Sequence, residues 1–149
     1  MSNKKETRKI TDRLADPYVN VKIKISALWA SVVFCYIYGD FFGLFRTGKI
    51  ERIIDGYGPF GTVTQGSLLS VAIITSIPCV MVALSLMLKP NISRWLNIIV
   101  ATIFIIFLGA TMLISSWYFY FYLGFIEILL KLMIIWLAWQ WPLEDHKDT

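Results

Sequence analysis

Four long apolar runs divide this chain, at about residues 25–45, 67–88, 95–115 and 118–139. A bilayer's hydrocarbon core of about 30 Å takes about 20 residues of α-helix at about 1.5 Å each, so every run has the length of a membrane span. The pattern predicts an all-α fold, a four-transmembrane-helix bundle. Between the first two runs lies the longest connection, residues 46–65. There Ile50, Ile53 and Ile54 share one helical face, with Lys49, Glu51, Arg52 and Asp55 elsewhere, before Gly56, Gly58, Pro59 and Gly61 interrupt the pattern. That spacing predicts a short amphipathic helix lying at the interface and then a turn; an ordinary exposed loop is the alternative. The organisation is therefore a basic tail (1–24), a four-span membrane domain (25–142) and a short acidic tail (143–149). No periodicity assigns a structure to residues 1–20.

Within the runs, several residues refine the picture. Ala27, Ser31 and Cys35 recur every four residues on span one, which lets another helix approach closely and permits a homo-oligomer or a membrane partner. Pro78 removes the amide that would bond the Ile74 carbonyl, so a kink is expected in span two. Lys89-Pro90-Asn91 ends that span. The aromatic run Trp117–Tyr122 suits a headgroup belt, as do Trp136, Trp139 and Trp141 at the opposite interface, with Pro142 stopping the helix. A surface that stacks a sugar or quinone is the alternative for the aromatic run.

Composition agrees with this reading. The 149 residues are one domain's worth, 57% of them hydrophobic, with a mean hydropathy of +0.65. That is more apolar surface than one soluble core of this size buries, so the excess faces lipid. The first run begins near Ile25 after a charged lead, too far in and too long for a secretory signal, and is expected to stay in the mature protein.

Lysines and arginines are unevenly placed: ten lie in the tails and the 89–94 connection, against three in the 46–65 connection. The positive-inside rule then puts both termini in the cytoplasm, as a multi-pass protein of a cell inner membrane. The basic N-terminal tail is expected to contact anionic lipid headgroups. Nucleic acid is not an expected partner, because the tail has neither interleaved aromatics nor a recognisable reading helix.

Candidate chemistry is sparse. Of the charged residues, only Asp40, Glu127 and Lys131 fall inside the apolar runs. Such groups are costly in a membrane and are functional candidates by default. Glu127 and Lys131 are four residues apart on one face and can pair. With ideal helical rise Glu127 lies about 14 Å below the outer edge and Asp40 about 7 Å, an offset much of which long side chains close if spans one and four are neighbours. Lys131 neutralises one carboxylate and not both, which leaves a surplus acid for a proton, cation or other ligand. Tyr36 sits one turn from Asp40, and Gly43 leaves space beside it. The other reading is that the Glu127–Lys131 pair merely neutralises itself and fixes helix packing while Asp40 is hydrated.

Other chemistries lack their residues. Cys35 and Cys79 form no C-x-x-C, and the one histidine, His146, lies in the tail, so neither a zinc site nor a catalytic triad is indicated. No metal is expected, and no cofactor can be named from the sequence. Gly56-x-Gly58-x-x-Gly61 has dinucleotide-loop spacing but follows no buried strand and opens no crossover helix.

A distributed set of motifs carries a resemblance: Lys24-Ile25-Ser26-Ala27-Leu28-Trp29, Tyr38-Gly39-Asp40, Ile77-Pro78, Arg94-Trp95-Leu96-Asn97-Ile98-Ile99, Phe125-Ile126-Glu127-Ile128 and Ile134 to Pro142. Over about residues 22–142 the chain resembles an uncharacterised bacterial family of small four-helix membrane proteins, broadly similar to the DoxX-like group. The resemblance implies fold and topology more than activity, with a loose link to membrane redox and quinone-associated roles. In that family an acidic residue often precedes the Ile-Pro of span two; Ser76 stands there in this chain, which speaks against a three-carboxylate cluster.

Three functions are compatible with these residues. The first is binding or transport of a small molecule or proton at a polar intramembrane site. The second is an intramembrane enzyme or quinone-linked oxidoreductase subunit acting on a lipid-soluble substrate, and the third is a structural accessory subunit. The geometry around Glu127 discriminates among them.

Overall fold

A computed structural model describes residues 17–58 and 61–141, the Ile114 side chain excepted. The expectations for residues 1–16, Pro59, His146 and the 143–149 tail lie outside the described residues. Its elements in chain order are α1 (Val21–Leu44), α2 (Lys49–Ile54), β1 (Tyr57–Gly58), β2 (Gly61–Thr62), α3 (Gln65–Met87), α4 (Pro90–Ile114) and α5 (Tyr118–Trp139). The fold is all-α, and its four long helices are each long and apolar enough to span a membrane. Large apolar side chains such as Phe34, Leu69, Ile73, Ile103, Ile106 and Leu132 stand exposed on the outside of the bundle. An apolar exterior of this extent belongs against lipid.

Local chemistry explains the helix limits. The Asn20 side chain accepts from Lys22 N at 2.9 Å and starts α1, four residues before the apolar run begins. Thr64 and Ser67 form a reciprocal capping box at the start of α3. Helix α3 ends at Met87, just before Lys89-Pro90-Asn91 as expected, and Pro90 also opens α4 as its first residue, where a missing amide costs nothing and φ is already helical. Span three therefore starts five residues earlier than its apolar run. Helix α3 runs unbroken through Pro78, which leaves the Ile74 carbonyl without its intrahelical donor. The short helix α2 forms where the isoleucine spacing places it, and a two-residue antiparallel hairpin follows, with Tyr57 opposite Thr62. Gly56 and Gly61 adopt φ of 82° and 100° there, a region open to glycine without strain.

Helix α1 packs on both α3 and α5, and α5 packs in turn on α4. The consecutive helices α3 and α4 touch little beyond their turn, so a seam opens between them towards the end that carries α2 and the hairpin (the hairpin end). The opposite end, where α1 begins and α5 finishes (the tail end), is closed. Its core comprises Ile25, Trp29, Val32, Met81, Ala101, Ile134 and Ala138.

A buried polar network locks the tail end. Asn97 Oδ1 accepts from Trp29 Nε1 at 2.6 Å and from Ser85 Oγ at 3.0 Å, while Asn97 Nδ2 donates to the Ser93 carbonyl at 2.7 Å. It ties α1, α3 and α4 together with every polar group of Asn97 used. Two cations finish helix C-termini at the same end, where the dipole favours positive charge. Lys22 Nζ donates to Leu88 O at 2.6 Å, and Arg94 Nη2 donates to Trp139 O at 3.3 Å.

Candidate functional site

The three charged residues of the apolar runs do not all meet. Lys131 Nζ donates to Glu127 Oε2 at 3.0 Å, both side chains on α5 and both buried, Lys131 completely. Burial of an ion pair is sustained only when its remaining hydrogen-bonding capacity is met. Lys131 gains a second partner from α1: its ammonium lies 4.9 Å from the centroid of the Tyr36 ring, a cation–π contact that strengthens when desolvated. This is the only ion pair within 4.0 Å among the described residues. Asp40 has no such partner and stays exposed.

Asp40 and Glu127 are nevertheless brought to one place. A cavity of about 170 Å³ lies in the seam between α3 and α4, walled by α1 and α5, and both carboxylates line it with Tyr36. The packing of α1 on α5 lets both reach this one space. Glu127 is 5% exposed, and its second oxygen, Oε1, accepts no hydrogen bond from the described residues. Lys131 is not among the lining residues. It stands behind Glu127, away from the space.

The glycine that opens this cavity is not the expected one. Gly43 borders open space and does not line it, whereas Gly39 and Gly124 do. At Gly124 a methyl group would come within 2.9 Å of Met112 Sδ, so any larger residue there must displace the flexible Met112 side chain of α4. Several further lining residues escaped the sequence reading. Thr75 comes from the middle of α3, Thr111 from α4, and Tyr120 from the aromatic run read as a headgroup belt. Tyr120 Oη donates to Thr111 Oγ1 at 2.8 Å, so at least one ring of that run points its polar end inward. A threonine within a turn of an in-helix proline was the one signal available for Thr75.

At the hairpin end the cavity is continued by a second hollow, which shares Asp40, Ile74, Thr75 and Phe107 with it. Lys49 and Ile53 of α2 and Gly58 of β1 form its far wall. Towards the tail end the way is shut by the Trp29–Asn97 network and the apolar core. The space is thus a pouch with its mouth at Asp40 and its floor at Glu127. Among the described residues no group of three His, Cys, Asp or Glu is placed to hold a metal ion.

A family model covers residues 16–148, the four spans and the pouch included. The chain belongs to the DUF6326 family. Its description is a family of unknown function, so membership assigns no role to Asp40, Glu127 or Lys131. No curated protein and no solved structure matches this DUF6326 member.

Proposed function

We propose that this DUF6326 member is a membrane-embedded binding or transport protein that takes a small molecule or a proton into the pouch between Asp40 and Glu127. The observation that carries this reading is the shared cavity: two carboxylates from different helices face one space, and Lys131 is committed to Glu127 from behind. Self-neutralising charges need no cavity at all. A pouch open at one end and sealed at the other is also what one state of an alternating-access carrier requires. The uneven lysines and arginines support an orientation with both termini in the cytoplasm, so the pouch opens away from the cytoplasm, and the resemblance stated above suggests a bacterial inner membrane as the setting. The resemblance to DoxX-like proteins belongs to the same proposal and supplies no chemistry of its own.

The test is proton or solute flux in liposomes carrying the full chain. Loss of flux in Glu127→Gln, with the fold intact, supports the reading; flux unchanged by that substitution overturns the transport version. A second reading, a scaffold subunit, draws on the sealed 3.0 Å contact of Lys131 with Glu127 and the Tyr36 ring above it. It expects Glu127→Gln to change stability and nothing else.

A further inference from the structure

We infer that the occupant of the pouch is a small organic monocation, an amine with an apolar body, entering past Asp40 from the hairpin end. This deepens the binding reading above and rests on it.

The first argument is the supply of hydrogen bonds. Among the described lining residues, the hydroxyl donors are turned to protein acceptors: Thr75 Oγ1 to Val71 O at 2.9 Å, Thr111 Oγ1 to Leu108 O at 2.8 Å, and Tyr120 Oη to Thr111 Oγ1. Only the Tyr36 hydroxyl makes no hydrogen bond. Acceptors, by contrast, stand open, namely Glu127 Oε1 and the Asp40 carboxylate. A cavity rich in acceptors and poor in donors is complementary to a ligand that donates. An ammonium is donor-only, with up to three N–H groups.

Charge points the same way. No lysine or arginine lines the cavity. Glu127 is paired with Lys131, so the lining carries one negative charge without an ion-pair partner, at Asp40. Lys49 borders the outer hollow beside Asp40 and makes no ion pair with it within 4.0 Å. An anion here would meet acids alone, and a neutral molecule would leave the Asp40 charge unmatched. One positive charge balances it.

Size and surface set the body of the ligand. A volume of about 170 Å³ is close to the roughly 150 Å³ apolar cavity that admits benzene. Phe104, Phe107, Leu108 and Leu123 supply the apolar wall, and aromatic faces also favour a nearby cation.

Three probes of nearly one shape separate the possibilities: benzylamine, benzyl alcohol and benzoate. Saturable binding to the full chain in nanodiscs is read by saturation-transfer NMR, for the wild type, Asp40→Asn and Asp40→Glu. A hydrogen bond to an ionised group exceeds a neutral one by roughly tenfold in affinity. Benzylamine is therefore expected to bind about tenfold tighter than benzyl alcohol, with benzoate excluded. Asp40→Asn removes most of that preference and Asp40→Glu keeps it. If benzyl alcohol matches benzylamine, or if Asp40→Asn retains the preference, the cation assignment is overturned while the binding reading stands. If no probe binds saturably, the assignment is overturned as well, and the flux comparison for Glu127→Gln decides the binding reading on its own.

Discussion

Lys131→Met is the most informative single change to the membrane-buried pair. In the wild type, Lys131 is wholly buried, 3.0 Å from a Glu127 that is itself 5% exposed. Methionine keeps most of the volume and removes the charge, and no other described cation pairs with Glu127. Stranding one partner of a buried pair costs about 3–5 kcal/mol. For a chain of 149 residues, at roughly 2–4 °C per kcal/mol, the melting temperature falls by roughly 6–20 °C. Removing both charges is a different matter. In Glu127→Leu/Lys131→Met no charge is left unpaired, and replacement of a buried pair by apolar groups is often neutral or stabilising. The double variant is expected within about 1 kcal/mol of the wild type, with a coupling of several kcal/mol between the two sites. Thermal unfolding of the four proteins, followed by circular dichroism in one detergent, measures this. A loss of under about 1 kcal/mol in Lys131→Met, or a double variant as unstable as the two singles added, refutes the argument.

The remaining predictions concern packing and surface. Asn97→Leu strands the indole N–H of Trp29, while the Ser85 hydroxyl keeps the Met81 carbonyl at 2.7 Å, and the change is expected to cost about 1–3 kcal/mol for the unsatisfied donor, with a change in Trp29 environment visible by near-UV circular dichroism. An unchanged melting temperature counts against the network as the lock of the tail end. Gly124→Ala should be tolerated at about 1 kcal/mol, because Met112 can swing aside, whereas Gly124→Leu should close the pouch and abolish probe binding while the helices still form; binding that survives Gly124→Leu would place the ligand elsewhere. Lys22, Lys89 and Arg94 line a hollow at the tail end with Trp141 and no acid, and Lys89→Gln with Arg94→Gln should lower the retention of anionic over zwitterionic lipid in native mass spectrometry. Equal retention would remove headgroup binding from that surface. Gly61→Ala, at a φ of 100°, should loosen the hairpin without moving the bundle's melting temperature, since the hairpin lies outside the core.

How far the site was legible depends on which residue is asked about. Glu127, Lys131 and Asp40 stood out because ionisable groups in apolar runs are rare and expensive, a property of each position alone. Their pairing within α5 followed from four-residue spacing. Thr75, Thr111 and Tyr120 could not be picked out, because a threonine in a membrane helix commonly satisfies itself on a carbonyl one turn back, as Thr102 does at 2.7 Å. Which threonines also face a cavity depends on the neighbouring helix. Asn97 was visible only as a polar residue in an apolar span, and its partners Trp29 and Ser85 lie 68 and 12 positions away.

The sequence by itself determined the number of long helices, their approximate limits and the rarity of charge within them, and left a short helix or a loop open after the first. These follow from local quantities, namely transfer free energy summed along one segment and the backbone chemistry of capping residues and proline. Only the tertiary structure decided that α1 sits between α3 and α5, and that α3 and α4 part to leave a pouch. It alone placed Asp40 at the mouth of that pouch and Glu127 at its floor. In a soluble bundle an amphipathic stripe announces the inward face, but here lipid and core are both apolar, so hydropathy does not say which side of a helix faces which. Small residues, buried polar pairs and close approaches such as Gly124 against Met112 carry that information, and they act only once the helices are together.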